Sequence, residues 1–295
     1  MSKVWLALVA SLLAACLAAD RTNDSAVEHA RILAVVASPA EVSPGAVVQF
    51  QAVVASPVGS AAQPLHWSFC ATARAAGDNT AASPACVTSM ERPLSGSQPE
   101  LSAVLPSDAC KIFGSETASG HAPNRADATG GYYQPLRVAL DTGEIAIART
   151  RVSCALPSAP LAVALAYTQQ YAPNVAPTIA GVRLLVDGVE RAADALVAGE
   201  SSTVRLELEP DARESYLLYE PHSGLLQTVA EQLEVSWYVA GGSFASPRTT
   251  VSGLRADNTL RLADGISRAH LWLVLRDDRG GVAVTDSALE IALGS

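Results

Sequence analysis

Histidines are the residues in this chain best suited to acid–base or metal chemistry, and their spacing argues against a shared site. No two of them lie four residues apart on a helical face, and no HExxH zinc-binding sequence occurs. A GxSxG nucleophile elbow, a Walker loop and a Rossmann fingerprint are also missing. Ser243 follows two glycines and is interpreted as the end of a strand. The five histidines are His29, His66, His121, His222 and His270.

Acidic residues in two loops could in principle hold a cation. Asp277 and Asp278 are adjacent in one turn, and Asp257 precedes Asn258 in another loop. Calcium needs six to eight oxygen ligands, and no Dx[DN]x[DN]G sequence gathers them locally. We therefore interpret these acids as solvated turn residues and predict no catalytic residue, metal or cofactor.

Cys16 closes an apolar run, Val4 to Ala15, that follows the single positive charge of Lys3. The run is shorter than the roughly 20 apolar residues that span a bilayer, so it is typical of a signal peptide. The sequence Leu13-Ala14-Ala15-Cys16 resembles the lipobox of bacterial lipoproteins.

This resemblance implies cleavage before Cys16, a diacylglyceryl thioether on its sulfur, and acylation of the new amine by a fatty acid such as palmitate. Leu17 follows the cysteine where an aspartate often marks inner-membrane retention, which favours the outer membrane. The alternative is an ordinary secretory signal cut near Ala18 or Ala19.

The other four cysteines indicate disulfides in an oxidising compartment. None belongs to a CxxC sequence, which argues against a thioredoxin-like or zinc site. Four cysteines allow three pairings, of which we predict Cys70–Cys86 with Cys110–Cys154.

The charge of the chain argues against nucleic acid as a partner. The formal net charge is −9, from 20 basic and 29 acidic residues, and removal of the leader would take away Lys3 and no acid. Such an acidic body would be repelled by a phosphate backbone.

The two halves of the chain repeat one pattern of short strands. Each half has a glycine turn that leads into a strand with apolar residues at every second position, at 41–54 and at 195–209. Each then has a short strand centred on a tryptophan, Trp67 or Trp237. Each closes with a hairpin whose turn contains Asp and Gly, at 136–156 and at 271–293.

This order resembles the immunoglobulin-like sandwiches, including PKD-like and bacterial Ig-like modules, in which a strand C tryptophan packs between two sheets. We predict an all-β protein of two tandem Ig-like β-sandwiches after a lipoprotein signal peptide. The second half has no cysteine pair, unlike antibody domains. The predicted organisation is a signal peptide at 1–15, a tether at 16–30, a first domain at 31–156, a linker at 157–178 and a second domain at 179–293.

Three further segments do not belong to the repeated strand pattern. Ala71 to Tyr132 is predicted to form long loops joined by disulfides, and Leu161 to Tyr171 is predicted to form a short linker helix. Glu214 to Glu231 reads as an extra hairpin, with Pro221-His222-Ser223-Gly224 as its turn.

Aromatic residues provide the best candidate for a contact surface. If Trp237 points inward, alternation places Tyr238 outward, and a similar argument places Trp272 outward on the neighbouring strand. Exposed tyrosine and tryptophan often anchor partners. The alternative is that the extra hairpin, with Tyr216 and Tyr219, or the linker helix covers them. The matching face of the first domain is predicted to be polar.

The sequence therefore predicts a lipid-anchored envelope protein that binds or scaffolds without catalysis. The expected contacts are the membrane, through lipid on Cys16, and an envelope protein or glycan. Two alternatives are an enzyme with a site in the long loops, near His66 or His121, and a passive spacer.

Overall fold

The computed structural model describes residues 24–60, 63–75, 80–114, 131–154, 156, 159–192, 196–220 and 223–292. Strands dominate these ranges, and the helices within them are short. The predicted all-β class is confirmed. The helices of the described ranges are Pro84–Thr88, Ala109–Phe113 and Leu161–Gln170.

The first sandwich consists of two sheets that face each other across one core. Its strands are β1 (Arg31–Ser38), β2 (Glu41–Val42), β3 (Val47–Ser56), β4 (Gly59–Ser60), β5 (Leu65–Phe69), β6 (Arg92–Pro93), β7 (Glu100–Val104), β8 (Gly131–Leu140) and β9 (Ile145–Ser153). One sheet has the order β1-β3-β4 with β7 paired to β3, and the other has the order β2-β9-β8-β5-β6.

The second sandwich repeats this arrangement. Its strands are β10 (Ile179–Val186), β11 (Val189–Arg191), β12 (Ser201–Leu208), β13 (Ser215–Glu220), β14 (Leu225–Ala230), β15 (Leu233–Ala240), β16 (Gly242–Phe244), β17 (Arg248–Thr250), β18 (Arg255–Leu262), β19 (Arg268–Asp277) and β20 (Val282–Glu290). One sheet has the order β11-β10-β12-β18-β16, and the facing sheet has the order β17-β15-β19-β20.

Alternating side chains explain why these strands build layers. In β3, Val48, Phe50 and Ala52 are buried, while their neighbours Gln49 and Gln51 are exposed. A strand presents successive side chains to opposite faces, so this pattern gives β3 one apolar, buried face and one polar, solvent-exposed face. Each buried Val or Phe stabilises the fold by about 1.5–3 kcal/mol.

One tryptophan occupies the centre of each core, as predicted. Trp67 lies in β5 and Trp237 in β15, and neither is exposed to solvent. In each sandwich the tryptophan strand pairs with the first strand of the closing hairpin. This adjacency corresponds to strands C, F and G of an Ig-like sandwich.

The predicted disulfides are both present. Cys70 bonds to Cys86, and Cys110 bonds to Cys154. The first of them holds the helix Pro84–Thr88 against the outer face of the β5–β8 sheet, where Arg137 Nε donates to the carbonyl of Val87 at 3.2 Å. The polar face predicted from the sequence is therefore covered at Ser68 and Arg137, whereas His66 remains exposed.

Loss of the longer bridge is expected to cost more stability than loss of the shorter one. The sequence separations are 44 residues for Cys110–Cys154 and 16 for Cys70–Cys86. The chain-entropy model gives about 4 and about 3 kcal/mol respectively. Urea unfolding of the two double Cys→Ser variants measures this difference, and an equal or reversed order would contradict it.

The linker helix and the extra hairpin pack together. The helix Leu161–Gln170 lies within the predicted segment, and β13 and β14 form their own two-stranded sheet. Tyr167 of the helix and Tyr219 of the hairpin are buried in one small apolar cluster. None of the described helices is long and apolar enough to cross a bilayer.

Candidate functional site at the junction of the two sandwiches

The outer face of β15 and β19 carries the aromatic pair that the sequence predicts. Tyr238 and Trp272 are direct cross-strand neighbours. Trp272 is fully buried, however, in an apolar cluster with Leu33 and Ala55 of the first sandwich. The expectation of an exposed tryptophan is therefore wrong, because the first sandwich covers this face.

The cover differs from both sequence-based alternatives, since neither the extra hairpin nor the linker helix provides it. The Trp272 indole donates to Ser60 Oγ at 3.3 Å and stacks on the His270 ring at 4.3 Å between centroids. Tyr238 is half-buried, with the Arg31 guanidinium 5.3 Å from its ring centroid. The face thus joins the sandwiches to each other.

A second contact between the sandwiches is a buried ionic network around Glu41. The Glu41 and Arg151 side chains are both 0% exposed, and Arg151 Nε donates to Glu41 at 2.9 Å. Ser153 Oγ donates to the same carboxylate at 2.6 Å, and the Tyr171 hydroxyl and the Asn174 backbone N–H donate to it as well. The linker is thereby fastened to the first sandwich.

Glycine at position 131 makes room for this arrangement. A Cβ at Gly131 would lie 2.1 Å from the Cζ of Arg151, so the guanidinium rests directly on the backbone of β8. Tyr133, further along β8, accepts from Arg151 Nη1 at 3.3 Å. The buried cation therefore contacts both β2 and β8.

The network continues into the second sandwich around Arg279. Arg279 Nε donates to Glu231 and its Nη2 to Glu214, each at 2.7 Å. Asn174 Nδ2 donates to Asp277 at 3.2 Å, and the N–H groups of Arg279 and Gly281 donate to the same carboxylate. Asn174 therefore connects the carboxylates of the two sandwiches.

Burial raises the pKa of the Asp277 and Glu231 carboxyls above their usual range. A carboxyl whose pKa is raised in the folded state destabilises the fold when it ionises. That penalty is absent below the unfolded pKa of about 4 and complete above the folded pKa. These two groups therefore make the protein less stable as the pH rises through their folded pKa values.

We expect Asp277→Asn to remove the Asp277 part of this pH dependence. Asparagine keeps an acceptor for Arg279 and Gly281, and its amide can donate to Asn174 Oδ1, which has no partner among the described residues. The stability of wild type relative to the variant should fall as the pH rises above 4, by at most about 1.4 kcal/mol per pH unit. Urea unfolding between pH 4 and pH 7 measures the slope, and a slope of zero or of opposite sign would refute the assignment.

The chain that precedes β1 is bound to the second sandwich. Val27 N–H donates to the Val239 carbonyl and Val239 N–H to the Ser25 carbonyl, each at 2.8 Å. The Ser25 hydroxyl accepts from Phe244 N–H at 2.9 Å, and Ser25 is fully buried. Ser25 and Val27 of the predicted tether are thus hydrogen-bonded to the second sandwich.

The remaining candidate residues are dispersed. His66 contacts Asp141 at 2.6 Å on an exposed surface, and Ser243 lies within β16. Asp257 accepts two hydrogen bonds from Arg205. Among the described residues none of the acids other than Asp141 is hydrogen-bonded to His66, and His121, His222 and Cys16 lie outside these residues.

Tyr216 and Tyr219 do not join the Tyr238–Trp272 face. Tyr219 packs on the linker helix, and Tyr216 lies 4.9 Å from the Arg279 guanidinium. The described ranges contain one group of His, Cys, Asp and Glu close enough to share a cation, Cys70, Cys86 and Glu91. Its two cysteines are joined in a disulfide, so it offers no thiolate ligands.

Comparison with known proteins gives only solved structures of low similarity. No protein-family model matches the chain, and no curated protein does. The D0–D1 domain of intimin is 8% identical, with a TM-score of 0.23, covering 88% of this chain and 98% of that chain. The Yersinia pseudotuberculosis adhesin InvE is 9% identical, with a TM-score of 0.23, covering 88% of this chain and 58% of that chain.

A Ca2+-stabilized adhesin by which an Antarctic bacterium binds ice is 10% identical, with a TM-score of 0.25, covering 91% of this chain and 49% of that chain. The chain thus spans about half of the length of the last two structures. All three TM-scores lie below 0.5, so the assignment of the fold rests on the strand order described above.

The polar residues of the junction have no local signature in the sequence. Glu41 and Arg151 are 110 residues apart, and each stands in a strand beside ordinary turn residues. Asn174 lies in a proline-rich linker and belongs to no recognisable motif.

Proposed function

We propose that this chain is a non-catalytic binding and scaffolding protein of the bacterial cell envelope, held to the outer membrane by lipid on Cys16. The observation that carries the proposal is the junction, in which the outer face of one sandwich is buried under the other. Because the outer face of β15 and β19 packs against the first sandwich, it holds the two sandwiches in one orientation. The ionic network of Glu41, Arg151 and Arg279 reinforces that orientation.

The N-terminal contacts support an anchoring role. Asp24, the first described residue, follows Cys16 by eight positions, which span at most about 28 Å when fully extended. Since Ser25 and Val27 are bonded to β15, a lipid on Cys16 would hold that end of the second sandwich within about 30 Å of the bilayer surface. Three acyl chains on one residue would make the attachment lasting.

Mass spectrometry of the protein extracted from envelopes tests the anchor. We expect an N-terminal peptide that begins at Cys16 and carries the mass of a diacylglyceryl group and an amide-linked acyl chain. The Cys16→Ser variant should be recovered without lipid. A mature N-terminus at Ala19 or Asp20 without lipid would refute the anchor.

A passive spacer is the second candidate, and burial of Trp272 in the junction favours it over a free aromatic binding face. Replacing the two sandwiches by an unrelated rigid pair of the same length, behind the same leader, separates these functions. If the protein is a spacer, the exchanged protein should restore the phenotype of a strain that lacks the natural protein. If the protein binds a partner, the exchanged protein should not restore that phenotype.

A further inference from the structure

A groove of about 450 Å³ opens at the junction beside the buried aromatic face. Its floor is β1 around Ile32–Val35, one wall is β9 around Ala146–Arg149, and the other wall is the β19–β20 turn. Both sandwiches contribute to it, so its shape depends on their fixed orientation.

One wall of the groove is an open strand edge. β8 pairs with one side of β9, whereas β2 pairs with the other side only at Arg151 and Val152. Apart from the β8 ladder, the described structure shows no hydrogen bond to the backbone of Ala146–Ala148. The chain crosses from β1 to β2 through Pro39, and within the described ranges this crossing leaves the rest of the edge unpaired. An unpaired edge can accept another strand.

The groove also contains positive charge without a carboxylate partner. Arg276 donates to the Leu33 carbonyl and to Ser236 Oγ, both at 3.0 Å and both neutral. Arg149 stacks over Tyr133, with its Cζ 5.5 Å from the ring centroid. Within the described ranges no carboxylate lies within 4.0 Å of either guanidinium.

The acids of the groove do not balance these cations. The Asp277 carboxylate already accepts from Asn174 and from the N–H groups of Arg279 and Gly281. Asp278 is exposed at the rim, where Tyr216 donates to it at 3.3 Å. Burial lowers the pKa of Arg276 despite the attraction of Glu234, its cross-strand neighbour, which reflects the cost of removing this charge from water.

We propose that this groove binds an extended peptide segment of a partner protein by strand addition to β9, with an acidic side chain of the peptide paired to Arg149 and Arg276. The proposal rests on the binding function and names the class of its partner. The open edge from Ile145 to Arg149 is about 17 Å long and accommodates roughly five residues. Backbone hydrogen bonds supply affinity, and the guanidiniums supply selectivity for acid.

The test is an NMR titration of the full chain, in detergent, with the pentapeptide acetyl-Thr-Val-Glu-Val-Thr-amide. We expect saturable shifts in the backbone amides of Ile145–Arg149. The same peptide with Gln in place of Glu should bind at least about ten-fold more weakly, because it cannot pair with the guanidiniums. A peptide N-methylated at both valines should bind at least about ten-fold more weakly, because it lacks two backbone N–H donors on one side of the strand.

Two variants of the protein complete the design. Arg149→Glu reverses an exposed charge in the groove and should weaken binding of the Glu peptide at least about ten-fold. Arg261→Glu makes the same change on β18, outside the groove, and should leave affinity within about two-fold. Both positions are exposed, so both variants are expected to fold.

Equal binding of the Glu and Gln peptides, equal binding of the N-methylated peptide, or no binding of any peptide at millimolar concentration would overturn the proposal. Binding of an acidic oligosaccharide in place of the peptides would overturn it as well. Failure to find lipid on Cys16 would refute the anchor alone, since the titration does not depend on lipid.

Discussion

Glu41→Ala is expected to lower the free energy of unfolding by about 3–5 kcal/mol, because it leaves a buried guanidinium without its counterion. Both side chains of the Glu41–Arg151 pair are fully buried, so water cannot replace the lost carboxylate. Ser153 and the Asn174 N–H lose the same acceptor. Urea unfolding monitored by tryptophan fluorescence measures the change.

An exposed ion pair provides the matched control. Glu190 pairs with Arg183 at 2.7 Å on the solvent side of β10, where both side chains remain largely exposed. Glu190→Ala should leave stability almost unchanged, because solvent screens such pairs. If Glu41→Ala were as mild as Glu190→Ala, the buried network would not stabilise the junction.

Trp272→Ala is expected to cost about 3–5 kcal/mol and to release the two sandwiches from each other. The indole is fully buried between them, and its removal leaves a cavity at the junction and takes away the hydrogen bond to Ser60 Oγ. We expect a larger radius of gyration in small-angle X-ray scattering and two separate thermal transitions in place of one.

Trp67→Ala is the control for Trp272→Ala. Trp67 is equally buried but lies in the core of the first sandwich, with Phe50 at 6.3 Å between ring centroids. Its loss should destabilise the first sandwich by a similar amount, and the folded protein should keep its scattering profile. An unchanged profile for Trp272→Ala would mean that the aromatic face does not hold the modules together.

Strands and cores could be predicted from the sequence because their signal is local. Val48, Phe50 and Ala52 alternate with polar residues, and that alternation alone defines a buried face in β3. The same reasoning located Trp67 and Trp237 inside their sandwiches, and the described turn residues Ser223 and Gly224 between β13 and β14. The disulfide pairing Cys70–Cys86 and Cys110–Cys154 was predicted and is present.

The candidate site could be predicted only in part. Alternation correctly made Tyr238 and Trp272 neighbours on an outer face, but it carries no information about what packs on that face. Binding of an external partner by these residues and by Tyr216 and Tyr219 stays a prediction, and the first sandwich now occupies the surface that Trp272 would need.

The periodicity of side chains thus sufficed for two β modules, their central tryptophans and their closing hairpins, since each of these depends on residues close in sequence. Three other features depend on residues more than 100 positions apart. They are the Glu41–Arg151 ion pair, the hydrogen bonds of Ser25 to the second sandwich and the groove beside β9. Such contacts are selected by the packing of two complete surfaces, where shape and buried charge must match at once. Tertiary structure alone therefore turned a predicted exposed face into a junction and created a groove next to it.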